Sequence, residues 1–252
     1  HRSFTFAVVI MTVLGLGLYG TVYLVPLYLA QVQHYSALEI GETLMWVGIP
    51  QLFIIPFIPK LIHRVDVRWI IGIGLVLFGI SCLMDAFMDT NFAMNQFTAS
   101  NIVRALGQPL ILIPLLSVAT AGLPKDETGS ASAIFNMMRN LGGSIGIALL
   151  STLVTRREQF HSVRIGETVT LLTPQVVARI NSLDSMLRGK GLDPTKAHDT
   201  ALTILSGQVQ IQSLIMAYSE AFYVVGLILL GTLVALIFLP KMAKTQGASS
   251  AG

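Results

Sequence analysis

An arginine set inside an apolar run and followed at once by glycines is the tightest constraint on this chain. The run, 136–146, reads Asn-Met-Met-Arg-Asn-Leu-Gly-Gly-Ser-Ile-Gly. Gly142 and Gly146 stand four apart, the small-xxx-small spacing that lets two membrane helices approach until their backbones touch. At helical periodicity Asn136, Arg139, Gly143 and Gly146 share one stripe. A guanidinium is costly in hydrocarbon unless it faces a partner or a wet cavity. The stripe is therefore expected to look into a bundle of helices.

Composition supplies that bundle. The 252 residues are 53% hydrophobic and only 12% charged, whereas a soluble domain carries about a quarter charged residues. An integral membrane protein is expected. A span needs about 20 apolar residues, and six runs qualify: 4–28, 43–59, 69–88, 99–123, 130–155 and 221–239. The second carries Pro50, Pro56 and Pro59 and is expected to kink. The chain thus divides into 1–155 with the first five spans, a polar outer segment 156–208, a last span within 209–240, and an unstructured tail 241–252. In the outer segment Thr173-Pro174 and Asp193-Pro194 read as the starts of two helices, the first ending at Gly189-Lys190-Gly191.

Loop charges orient the set. Arg2, Lys60, Arg64, Arg68, Lys125, Lys241 and Lys244 lie on one side, while the short loops 33–42 and 89–100 on the other carry Glu39, Glu42 and Asp89 and no lysine or arginine. The positive-inside rule puts the first side and both termini in the cytoplasm. Arg156, Arg157 and Arg164 sit on the outer side against that rule, three against seven. No segment reads as a signal peptide, and a chain opening on His1 is expected to be part of something longer. Cys82, the single cysteine, excludes an internal disulfide and any multi-cysteine metal site, and reads as a small buried hydrophobe. The motifs of soluble hydrolases and nucleotide-binding loops are absent, the five histidines show no ligand spacing, and the basic residues are split between two faces. Enzyme and nucleic-acid roles are not expected.

Four stretches resemble one family together. Residues 139–150, Arg-Asn-Leu-Gly-Gly-Ser-Ile-Gly-Ile-Ala-Leu-Leu, resemble the fifth helix of the C-terminal half of EmrB/QacA-type drug:proton antiporters, the fourteen-span branch of the major facilitator superfamily. Pro26-Leu27-Tyr28-Leu29-Ala30-Gln31-Val32, with Tyr35-Ser36-Ala37 and Gly41, resembles the end of that half's first helix. His63-Arg64-Val65-Asp66-Val67-Arg68 stands where the superfamily carries its Asp-Arg-x-Gly-Arg loop, with His63 for the usual Asp and Asp66 for the usual Gly, as in the EmrB branch. Arg157-Glu158 and Ser219-Glu220-Ala221-Phe222 are similar to the edges of that branch's last loop.

The resemblance implies an all-α membrane fold, a six-helix half of a transporter built from two 3+3 inverted repeats, with an outer helical loop. It implies proton-driven export of amphipathic compounds across a bacterial inner membrane, with no cofactor beyond the proton gradient. The implied partners are an N-terminal half, the lipid bilayer, and a periplasmic adaptor with an outer-membrane channel. The main coupling carboxylate is implied to lie in that other half. A rival reading is a half-transporter kept as a non-transporting assembly or sensor module.

On this fold Tyr19, Tyr23, Trp46, Gln51, Asn101, Gln108 and Asn136 are expected at a substrate cavity, where aromatic surface gives affinity and a few amides adapt. Interhelical hydrogen bonding is an equal alternative for Tyr19, Tyr23, Gln51 and Gln108. Arg104 and Arg139 are expected in a charge network, although Arg104 is near enough to a helix end to snorkel. His63, Arg64, Asp66 and Arg68 read as an inner gate or as plain topology. Gly142, Gly143 and Gly146 read as packing residues, and Asp85 and Glu220 as carboxylates solvated at the outer interface.

Overall fold

The computed structural model describes residues 2–89, 92–120, 125–169 and 173–237. Every regular element among them is helical: α1 Arg2–Gln31, α2 Ala37–Ile54, α3 Ile58–Arg64, α4 Val67–Asp85, α5 Met94–Thr120, α6 Lys125–Thr168, α7 Pro174–Gly189, α8 Pro194–Gly231 and α9 Leu233–Ile237. Among the described residues six stretches are long and apolar enough to cross a membrane, Phe4–Gln31, Ala37–Arg64, Val67–Asp85, Met94–Thr120, Thr128–Glu167 and Pro194–Leu236. Lys241, Lys244 and the tail 241–252 lie outside the described residues.

Local signals fix the ends. Ser36 opens α2 with a reciprocal cap: the Glu39 carboxylate accepts from the Ser36 backbone N–H at 2.7 Å, and the Glu39 N–H reaches the Ser36 hydroxyl at 3.5 Å. The second span breaks where its prolines cluster, passing through a 3₁₀ turn at Ile55–Phe57 before restarting as α3. Pro56 and Pro59 lack the N–H that an unbroken helix would use, which makes each a place to restart.

The outer segment differs from a separate hairpin hung between two spans. Helix α6 does not stop near residue 155 but continues to Thr168, and α8 runs without interruption from Pro194 through the last span. At 44 residues α6 is about 66 Å long, roughly twice a hydrocarbon core. Its C-terminal turns therefore exceed the length that a hydrocarbon core accounts for. There α7 folds back on α8 through a small core of Ile180, Leu183 and Leu187 against Ala197 and Ala201.

Three backbone-to-backbone crossings organise the membrane part. Gly15 of α1 lies against the Arg139 carbonyl of α6, and Gly142 of α6 lies against the Thr12 carbonyl of α1. In α4 and α5, a Cβ on Gly74 would fall 2.9 Å from the Gly107 oxygen, and one on Gly107 would fall 2.8 Å from the Gly74 oxygen. Gly79 of α4 and Gly226 of α8 face each other's carbonyls at 3.5 and 3.2 Å in the same way. In lipid no hydrophobic force drives helices together, so this close van der Waals approach carries the association.

The helix ends opposite the α3–α4 turn are lashed together. Tyr28 donates to the carbonyls of Phe92 at 3.2 Å and Asp89 at 3.3 Å, Gln33 donates to the Phe92 carbonyl at 3.0 Å, and Ser219 donates to the Ala86 carbonyl. Tyr28 also packs on Phe97 and Tyr218 with ring centroids 5.5 and 5.7 Å apart. Helix α2 is the exception to this density. Only 6% of its most apolar window is buried, against 50% for α1 and α4, and Leu38, Met45, Leu52, Phe53 and Phe57 are exposed along this span.

Candidate functional site

Helices α2, α5, α1 and α6 adjoin in that order, and the polar side chains of the membrane part gather along their seams. At the α1–α6 seam Gly143 lies under the ring of Tyr19, and Gly146 lies against Leu16. That fit sets the Tyr19 phenol to donate to Asn140 Oδ1 at 2.8 Å. Asn136 is exposed one turn before Asn140 and donates to the Ser132 carbonyl of its own helix, at 3.1 Å. Arg139 is half-buried, its Nε has no hydrogen-bond partner, and it joins no ion pair among the described residues.

At the α2–α5 seam Gln51 donates to Gln108 at 2.9 Å, and Trp46 is half-buried a turn away on α2. Because that bond costs only about 0.6 kcal/mol to lose on average, Gln51→Ala and Gln108→Ala should leave membrane abundance unchanged. If the chain serves export, as its resemblance implies, a changed spectrum of exported compounds in these variants would mark the pair as cavity lining. An unchanged spectrum would leave it as a helix tie.

Deeper in the same seam the polar groups close on themselves. Asn101 donates to the Thr43 carbonyl at 3.0 Å and accepts from Arg104 Nη1 at 3.1 Å, and Arg104 Nη2 pairs with Asp85. Asn101 and Asp85 are 0% exposed and Arg104 is 2% exposed. This chain joins α2, α5 and α4. It places Asn101 inside the packing and away from any open surface, because both ends of its amide are used and no side-chain atom reaches solvent. It also corrects two outer-interface expectations: Arg104 does not snorkel, and Asp85 is buried against a cation. Asp85 Oδ1 and Arg104 Nε remain without partners.

The α3–α4 turn is mainly exposed. His63 and Arg64 end α3, and Arg64 with Lys60 borders a cavity of about 290 Å³. Asp66 caps α4 by accepting the Arg68 N–H at 3.1 Å, while Arg68 is half-buried with its Nε unpaired. The cap complicates any test of gating. Asp66→Ala should cost about 1 kcal/mol through the lost cap alone. Asp66→Asn keeps a capping side chain and removes the charge. Transport lost in Asp66→Asn at normal abundance would assign the charge to a gate, whereas wild-type transport would leave Asp66 as a cap.

Above the crossings, Arg157 pairs with both oxygens of Glu220, with Nη2 to Oε1 at 2.7 Å, and His161 lies 3.0 Å from the same Oε1. Glu220 is thus paired, not merely solvated. The Arg157 guanidinium also sits 5.3 Å from the Phe160 ring centroid. Tyr23 lines a separate cavity of about 590 Å³ between α1, α6 and α8. No cluster of three or more His, Cys, Asp or Glu side chains able to hold a metal occurs among the described residues.

Sequence reasoning passed over Asp85 and Asn140 as site residues. The signal for Asp85 was in the chain: helical side chains lean toward the helix N-terminus, so Arg104 reaches back toward the α4–α5 connection and the end of α4.

Residues 2–163 match the family model described as Major Facilitator Superfamily. Among curated proteins, the chain is 26% identical over 244 residues to the Colistin resistance protein EmrB of Acinetobacter baumannii, covering 97% of this chain and 47% of that one. It is 25% identical over 234 residues to the Multidrug export protein EmrB of Escherichia coli, covering 91% and 44%. The Multidrug resistance protein B homolog of Mycobacterium tuberculosis is 26% identical over 248 residues, covering 98% and 44%. The chain spans about half the length of the curated relatives it matches.

Proposed function

The chain belongs to the major facilitator superfamily, and from that premise we propose that it is the C-terminal half of a drug exporter that expels amphipathic compounds in exchange for protons. What supports this reading above all is the uncovered α2. A helix with exposed Leu38, Met45, Leu52 and Phe53 on one side and the Gln51–Gln108 pair on another is suited to a second half closing over a cavity. The multidrug exporters it resembles are about twice its length.

On this reading Tyr19, Gln51, Gln108 and Asn136 face the transported compound, and Arg139, half-buried with an unpaired Nε, answers charge contributed across the midplane. The exporter sits in the inner membrane with the α3–α4 turn in the cytoplasm. The projection of α6, α7 and α8 then stands in the periplasm, where an adaptor leading to an outer-membrane channel would meet it.

The intact parent protein, expressed in a drug-sensitive host, should raise resistance to several amphipathic compounds. It should lose that effect when the proton gradient is collapsed. Failure to move any compound in inverted vesicles supplied with a proton gradient would overturn the export reading in favour of an assembly or sensor role.

A further inference from the structure

The cavity of about 590 Å³ is built from three helical stripes. Tyr23 and Gln31 come from α1, Glu158 from α6, and Gln210 and Tyr218 from α8. Most of the remaining wall is aliphatic, and among the described residues no lysine or arginine lines it. This size and lining match a pocket for a drug-sized amphipathic molecule.

Its charge is one-sided. Glu158 is half-buried and makes no hydrogen bond or ion pair among the described residues. The cation beside it in sequence, Arg157, is already committed to Glu220. His34, exposed at the mouth after α1, is the one other titratable side chain on the wall besides the two tyrosines. Tyr218 donates its phenol proton to Gln31 at 2.8 Å, which fixes that ring against the cavity. A carboxylate drawn out of water needs a counterion, and aromatic faces attract organic cations whose charge is spread over a bulky apolar body.

We infer that this cavity binds an amphipathic organic cation, with Glu158 as its counterion and Tyr23 and Tyr218 as its aromatic walls. The site lies between α1, α6 and α8, apart from the Tyr19–Asn140 and Gln51–Gln108 seams. It deepens the efflux reading by naming a charge class, and rests on that reading only for its use in the cell.

The test uses the intact parent protein in a maltoside detergent, which offers no competing cation. Binding of tetraphenylphosphonium is measured beside the neutral triphenylphosphine oxide. Glu158→Gln should weaken tetraphenylphosphonium binding about tenfold and leave the neutral compound unchanged. Glu158→Asp, which keeps the charge, and Glu167→Gln, an exposed acid further along α6, should stay near wild type. Wild-type affinity in Glu158→Gln, or equal weakening of both compounds, would overturn the inference. Phosphatidylethanolamine, whose zwitterionic headgroup also carries an ammonium group, should not displace the probe. Displacement would overturn assignment to a free solute. Resistance conferred by the parent is scored separately. Resistance with Glu158-independent binding sinks this inference alone, and Glu158-dependent binding without resistance sinks the efflux reading alone.

Discussion

Gly142→Ala should destabilise the protein by about 3 kcal/mol or more, the upper end for overpacked sites, and Gly142→Leu should largely remove it from the membrane. The added carbon would collide with the Thr12 carbonyl, which is backbone and cannot rotate aside. Helices α1 and α6 would have to part, and the fits of Tyr19 on Gly143 and Leu16 on Gly146 would loosen with them. The control lies in the same chain: Gly48 and Gly129 have nothing within 4 Å of an added Cβ. Gly48→Ala and Gly129→Ala should be neutral or gain up to about 1 kcal/mol from helix propensity. Gly15→Ala meets the reciprocal carbonyl, of Arg139, so the Gly15→Ala/Gly142→Ala double variant should cost much less than the sum of its singles, the helices having already separated. Thermal unfolding in detergent reads the four alanine singles and the double variant, and membrane abundance reads Gly142→Leu. Equal midpoints for Gly142→Ala and Gly48→Ala would refute the crossing.

The second large effect concerns Asp85 and Arg104. Removing one partner of a buried ion pair costs about 3–5 kcal/mol, because the survivor is left uncompensated. The two losses should differ. A carboxyl group has a neutral form to fall back on and a guanidinium has none, so Asp85→Asn should be worse than Arg104→Met. Loss of Arg104 also frees Asn101 Oδ1, its other partner, which limits the gap between them. The double variant Asp85→Leu/Arg104→Met should recover most of the stability, since apolar replacement of a whole buried pair is often neutral or stabilising. A double-mutant cycle on unfolding midpoints reads this coupling. Additive single effects would rule it out. If the rescued double variant folds but no longer exports, the pair serves transport as well as packing.

What could be read from the chain divides by the range of the forces involved. Helix starts at Pro174 and Pro194 were legible because a proline in the first turn acts locally, and at Pro194 the Asp193 side chain adds a cap that Thr173 does not make for α7. The glycines of 142–146 were legible because spacing on one helix shows a notch. Their partner Gly15 was not, since α1 carries Gly15, Gly17 and Gly20 in succession and spacing alone does not say which of these turns meets α6. The length of α6 was misjudged for a definable reason. Arg156 and Arg157 mark where the apolar run of the sequence ends, and a helix need not end where its composition changes. Asp85 was misjudged because burial of a charge depends on a partner in another helix, here Arg104. Among the expected cavity residues, Gln51 and Gln108 do meet across a seam, while Asn101 shows how the same amide chemistry can be spent wholly on structure.

The uninterrupted course of α6 has a mechanical meaning. With its fulcrum where Gly142 touches α1, the stretch out to Thr168 is an arm of about 39 Å at 1.5 Å per residue. Rocking that rod by about 10° would sweep its far tip through roughly 7 Å, many times the displacement at the pivot. A small change of tilt at the crossing would thus arrive at the far end of the helix as a stroke large enough for another protein to feel.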